Sequence, residues 1–353
     1  MREVFQSLYL TEGRETREFE RRFVEYIGVK HGIATTSCTS GIELVLRATN
    51  IHAGDEVIVP DFTYPATALA VLAVGATPVI VDVSPDHFVV DVSCLRPHVT
   101  KNTRCILCVS NLGFPVDYEP IMDFARPRGI VVIEDAACSV GTCTHGKKAG
   151  SMVDAAVFSF HARKVITTGE GGMVCTNDDE LAKRCSETKN FGVTGVEAGR
   201  QTFERWGTNL KMSNISAAIG LVQLTKLERI IQEREKRAQR YDDLLRDITG
   251  VEFIRLPEHV RYNHYCYPLL VNPKTRDQLI ASLRERKIEA QIGSYALHVQ
   301  PYFESLLEGM RDGEAVYPNS TRAFESILQL PLHHELTPPQ QERVCQTLIG
   351  LVR

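Results

Sequence analysis

A lysine that follows a buried strand and precedes a glycine-rich turn is a candidate for amine chemistry. In Phe158-Ser159-Phe160-His161-Ala162-Arg163-Lys164, the apolar run over 157–160 is rich in β-formers and predicts a buried strand. The turn Thr167-Thr168-Gly169-Glu170-Gly171-Gly172 then lets the backbone bend tightly behind Lys164. An amine held among apolar groups loses solvation, so its pKa falls and it becomes nucleophilic enough to form a Schiff base. Taken alone, the segment reads more readily as a surface lysine after a strand. The rest of the chain has to decide.

Two further stretches carry chemistry. Ile133-Glu134-Asp135-Ala136-Ala137 ends an apolar run with two carboxylates, which are costly to bury without a cation or a hydrogen-bond donor. A buried Asp135 suits a protonated ring nitrogen of a cofactor; the alternative is an aspartate that caps the next helix. Ser37-Cys38-Thr39-Ser40-Gly41 lies between a strand candidate over 33–36 and a helix over about 42–48. That order offers the unpartnered amides of a helix start to an anion, although Thr39 or Ser40 also suits a plain cap.

The elements that must position these residues alternate. Strands are predicted over 55–60, 77–83, 105–109, 130–133 and 173–176, with helices over 16–26 and 66–74, which indicates an α/β domain with a mostly parallel, doubly covered sheet. Ligands in such sheets sit at the carboxyl ends of the strands. Tyr64, Asp135, Ser159 and Lys164 all fall at or just past strand ends and are expected to converge. One long helix over about 213–247 is read as the connection to a second, smaller α+β domain with a strand over 265–271 and helices over 276–287 and 338–352. The domains are set at 1–240 and 241–353, and the polar segment 195–205 is read as a mobile loop.

At 353 residues, the chain is long for a single core. Hydrophobic and charged contents of 43% and 24% are ordinary for a globular protein. A net charge of −4 gives no reason to expect nucleic acid or an anionic membrane as partner. No apolar run has the length of a membrane span, and the start lacks a signal-peptide core. Cys105-Ile106-Leu107-Cys108 is formally C-x-x-C, but strand positions three apart face opposite sides and no second pair completes a zinc set. No metal is expected. The ten scattered cysteines fit reduced thiols in the cytoplasm.

With these segments together, the chain resembles the DegT/DnrJ/StrS family of sugar aminotransferases from about residue 10 to the C-terminus. The resemblance rests on Thr36 to Ser40, Gly54 to Pro60, Val132 to Ala137, Phe158 to His161 with Lys164, Glu170 to Gly172, and Asn214 to Ala218. It implies the aspartate aminotransferase fold, pyridoxal-phosphate fold type I, and pyridoxal 5'-phosphate as cofactor. Lys164 would carry the cofactor and shuttle the proton, and Asp135 would bind the pyridinium nitrogen. Tyr64 would stack on one ring face with Ala137 on the other. Thr39, Ser40 and Ser159 would hold the phosphate, and Lys211 would reach it from the neighbouring subunit of a homodimer with shared sites. Cys138 stands where the family has Gln, His or Glu near the cofactor's phenolic oxygen, and Ser110-Asn111 replaces a His-containing pair.

The family reading implies transfer of an amino group from L-glutamate to a nucleotide-linked keto sugar. The stretch from Lys164 to Met173 is similar to that of perosamine synthases, which implies C4 amination of GDP-4-keto-6-deoxymannose. Alternatives are C4 or C3 amination of a UDP- or dTDP-linked sugar, or a non-catalytic, cofactor-binding regulatory relative. Relatives that remove a hydroxyl at C3 carry His in place of Lys164. Arg200, Arg205 and His298 are the substrate-binding candidates.

Overall fold

The computed structural model describes residues 1–308 and 316–352. Its centre is a seven-stranded sheet in the order His31–Thr35, Gly172–Thr176, Ala155–Ser159, Val131–Asp135, Thr103–Val109, Glu56–Pro60, Thr77–Val81. The last five pair in parallel. Only Gly172–Thr176 runs against its neighbours, because the 160–171 segment before it contains no helix to carry the chain back over the sheet. The fold is thus α/β with a mostly parallel mixed sheet, as expected.

The two faces of the sheet are buried under different cores. Cys105 and Leu107 face one, while Ile106 and Cys108 face the other, so the C-x-x-C cysteines do point to opposite sides. The same alternation sends Phe158 and Phe160 to a common face, where they meet Phe19 and Phe23 of helix Arg14–Ile27. Phe158 and Phe23 lie edge-on with centroids 5.1 Å apart, and Phe160 and Phe19 are tilted at 5.1 Å. Such aromatic pairs add about 0.5–1.5 kcal/mol each beyond area burial. The strand that leads to Lys164 is therefore pinned from below.

Farther along the chain, Val251–Phe253, Tyr267–Val271, Ile327–Leu330 and Gln291–Ile292 form a four-stranded antiparallel sheet. Helix Leu227–Leu245 joins its core to the larger one: Leu227, Ile230 and Ile231 pack against the first, and Ala238, Tyr241 and Leu245 against the second. The single helix expected over 213–247 is two, Asn214–Leu224 and Leu227–Leu245, broken at Thr225 and Lys226. The apolar period continues across the break, which hides it from the sequence. The 195–205 segment is mostly a hairpin, Val193–Glu197 paired with Arg200–Phe203, rather than an irregular loop.

One short pairing brings the two sheets to a common cavity. Tyr295–Ala296 pairs antiparallel with Phe62–Thr63, and Leu297 N–H donates to the Asp61 carbonyl at 2.9 Å.

Candidate active site

The carboxyl ends of the parallel strands open into a cavity of about 300 Å³. Thr39, Tyr64, Asp135, Ala137, Cys138, Ser159 and Lys164 all line it. The expected convergence of strand-end residues is therefore observed.

Asp135 is the last residue of its strand and is buried. Alternation sends it and Glu134 to opposite faces. Glu134 takes donors from Ser110 Oγ at 2.6 Å, the Gly150 amide at 2.7 Å and Ser139 Oγ at 3.3 Å, so it is held structurally, and Ser110 serves it. Asp135 Oδ2 accepts from Thr67 Oγ1 at 2.8 Å, and Oδ1 from the Ala137 amide at 3.1 Å. The Cys38 thiol lies 3.8 Å from Oδ1. All these donors are neutral, and burial pushes both carboxyls above the ordinary range.

Lys164 sits in a turn in which its amide donates to the His161 carbonyl at 2.9 Å. Its Nζ lies 3.1 Å from Cys138 Sγ and 5.0 Å from the centre of the Tyr265 ring. Burial pulls the ammonium pKa down, as the sequence reading expects. The acidic groups at its tip, Cys138 foremost and then Tyr265, outweigh burial, and the net direction is upward. The lowered lysine pKa expected from sequence is corrected on this point.

The anion end is formed by helix Cys38–Ala48, which begins earlier than its apolar pattern suggests. Ser37 and Ser40 form a reciprocal cap, with the Ser40 amide donating to Ser37 Oγ at 3.1 Å and the Ser37 amide to Ser40 Oγ at 3.0 Å. This leaves the Cys38 and Thr39 amides as the free donors of the helix start. The Ser40 hydroxyl, expected at a phosphate, takes part in this cap; Ser37 and Thr39 line the cavity. The turn fits only because residue 172 is glycine: a Cβ there would sit 2.5 Å from the Ser37 carbonyl oxygen.

Three expected substrate residues lie elsewhere. His298 is locked to Asp61, its amide donating to Oδ1 at 2.8 Å and its Nδ1 2.6 Å from Oδ2, and it stacks on Tyr317. Its Nε2 lies 3.2 Å from Thr321 Oγ1. Arg205 pairs with Glu187 at 3.0 Å, and Arg200 is exposed on the hairpin. Neither lines the cavity of its own chain, and nor does Lys211. Sequence reasoning missed Arg163, Tyr265 and the strip from Gln291 to Tyr295, all of which line it.

The sequence profile of the DegT/DnrJ/EryC1/StrS aminotransferase family matches residues 1–349. The chain belongs to this family. It is 38% identical over 344 residues to a GDP-perosamine synthase of Caulobacter vibrioides, an alignment covering 95% of this chain and 90% of the relative. Among solved structures, the aminotransferase TlmJ from Streptoalloteichus hindustanus superposes with a TM-score of 0.91 at 30% identity, covering 100% of this chain and 93% of that one. A putative sugar aminotransferase, Spr1654 of Streptococcus pneumoniae, described in a PLP form, superposes with a TM-score of 0.92 at 27% identity, covering 99% and 94%.

The residues of this aminotransferase fit the family's cofactor, pyridoxal 5'-phosphate. A buried carboxylate with only neutral partners can receive a ring cation. Free helix-start amides beside Ser159 can receive a phosphate. Tyr64, 59% exposed at the rim, is free to cover a ring, and Ala137 is small enough to lie beneath one.

Proposed function

We propose that this family member moves an amino group from L-glutamate to a nucleotide-linked 4-keto-6-deoxy sugar, with GDP-4-keto-6-deoxymannose as acceptor and GDP-perosamine as product. The observation that carries the reading is the meeting of Lys164, Asp135, Ser159 and the Cys38–Ala48 helix start in one cavity. The choice of sugar rests on the named activity of the Caulobacter relative. The ten free cysteines fit a cytoplasmic enzyme.

Bound pyridoxal phosphate supplies an electron sink for the carbon that carries the nitrogen. The chain supplies the rest. Asp135 holds a proton at the ring nitrogen, where a neighbouring anion favours the charged form. Lys164 Nζ takes up and returns the proton that moves during transfer. Ser159, Thr39 and the helix start bind the phosphate, while Tyr64 and Ala137 orient the ring and keep water from its faces. Asn111, whose Nδ2 donates to the Phe62 carbonyl at 2.9 Å, fixes the loop that presents Tyr64.

The test loads the enzyme with pyridoxamine phosphate and offers it GDP-, UDP- and dTDP-linked keto sugars in single-turnover reactions. Conversion of the GDP-4-keto sugar alone, to a 4-amino product, is the expected result. Faster conversion of a UDP or dTDP sugar, or amination at C3, would redirect the substrate assignment. No conversion of any of them, with cofactor bound, would leave the non-catalytic reading.

The same proposal makes the enzyme a homodimer with shared sites. Lys211 Nζ is buried over the Phe191 ring at 4.4 Å and has no hydrogen-bond partner among the described residues. Burial holds its pKa below the ordinary lysine value, and an anion from a neighbouring subunit would relieve that cost. Any contact of Arg200 with a sugar nucleotide likewise has to be made to the partner's cavity. Mixing Lys211→Ala with Lys164→Ala subunits is expected to recover activity in the heterodimer, toward half the wild-type value per site pair. No recovery, with subunit exchange confirmed by mass, would rule out the shared site.

A further inference from the structure

We propose that Arg163 is the anion anchor of this cavity, taking the anionic end of a substrate through its guanidinium; this rests on the transfer reading above. Both substrates of that reaction are anions, a dicarboxylate donor and a diphosphate-linked acceptor, so the cavity needs a cation that is not consumed by the chemistry. Lys164 is committed to proton movement. Among the described residues, Arg163 is the remaining lysine or arginine lining the cavity.

The surroundings of Arg163 leave it available. The 161–164 turn is fixed by the Arg163 amide donating to His161 Nδ1 at 3.2 Å and the Lys164 amide donating to the His161 carbonyl at 2.9 Å. Glu170, the nearby exposed carboxylate on the rim, stands 3.7 Å from His161 Nε2. Arg163 itself makes no ion pair among the described residues, and its side chain is exposed at the mouth. Its backbone adjoins that of Lys164, so an anion held there is tied in register to the reacting atoms. A planar fork of donors matches carboxylate and diphosphate oxygens in pairs, which an ammonium cannot do.

Carboxylate and diphosphate share this chemistry, and the test separates them. Calorimetric titration of the cofactor-loaded protein with 2-oxoglutarate and with GDP gives two affinities that do not depend on turnover. In Arg163→Gln, one of these is expected to weaken at least tenfold: 2-oxoglutarate if the anchor holds the donor's carboxylate, GDP if it holds the acceptor's diphosphate. Arg163→Lys should recover part of the loss, because charge returns without the fork. The proposal is overturned if both affinities stay within twofold of wild type in Arg163→Gln, or if the wild type binds neither probe. A transfer reading that is itself mistaken shows separately, as a wild-type enzyme that converts no keto sugar.

Discussion

Lys164→Ala is expected to lower amino transfer by at least about 10⁴-fold, since it removes both the attacking amine and the proton carrier, and general acid–base catalysis alone contributes roughly 10²–10⁴. The cofactor should also fail to remain with the denatured chain after borohydride reduction, because no amine stands in the place of Nζ. The fold should persist. The alanine opens space beside Cys138 and Tyr265, and the strand beneath stays fixed by Phe19, Phe23, Phe158 and Phe160. Retained turnover together with retained covalent cofactor would show that another amine does the work.

Asp135→Asn carries the second large effect, and its two consequences have opposite signs. Loss of the anion beneath the ring nitrogen should slow transfer by roughly 10²–10³-fold, the scale on which removing one aimed electrostatic group acts. The empty protein, by contrast, should become more stable at neutral pH. The folded-state pKa of Asp135 is raised by burial, so above its unfolded value the carboxylate opposes folding, and this cost disappears as pH falls below the folded pKa. The amide carries no such cost and still meets Thr67 and the Ala137 amide. A thermal melt of the cofactor-free variant should therefore shift upward near pH 7, with the gap narrowing in acid. A downward shift would mean that Asp135 serves the fold more than the cofactor.

Much of this site was legible because it is local to strand ends. Ser159 and Lys164 follow from one apolar run, Asp135 from another, and period-two alternation puts Glu134 on the far face without any structure. The helix start at Ser37 was legible as small polar residues between a strand and a helix. What failed was long-range. The Gln291–Tyr295 strip reaches the cavity through a two-residue pairing between segments more than two hundred positions apart, and Tyr265 through Asn263, which donates to the Cys138 and Val140 carbonyls and accepts from the Tyr265 amide; no local pattern marks either. The rise in the Lys164 pKa has the same origin, because Cys138 and Tyr265 arrive from other segments. The bond from His298 to Asp61 was equally invisible, because its partner lies as far away in the chain. Arg163 had a signal: it is the cation next to Lys164 in a segment where nearly every neighbour has a task.

The pairing of Tyr295–Ala296 with Phe62–Thr63, reinforced by Asp61 and His298, also governs traffic. A cavity whose two walls are stitched along one edge opens more readily on the other side, which favours entry of a bulky substrate there, end first. In the proposed reaction, a nucleotide sugar would send its hexose to Lys164 and leave its base outside, near the rim that Arg163 and Tyr64 line. Product of the proposed reaction would leave by the same opening.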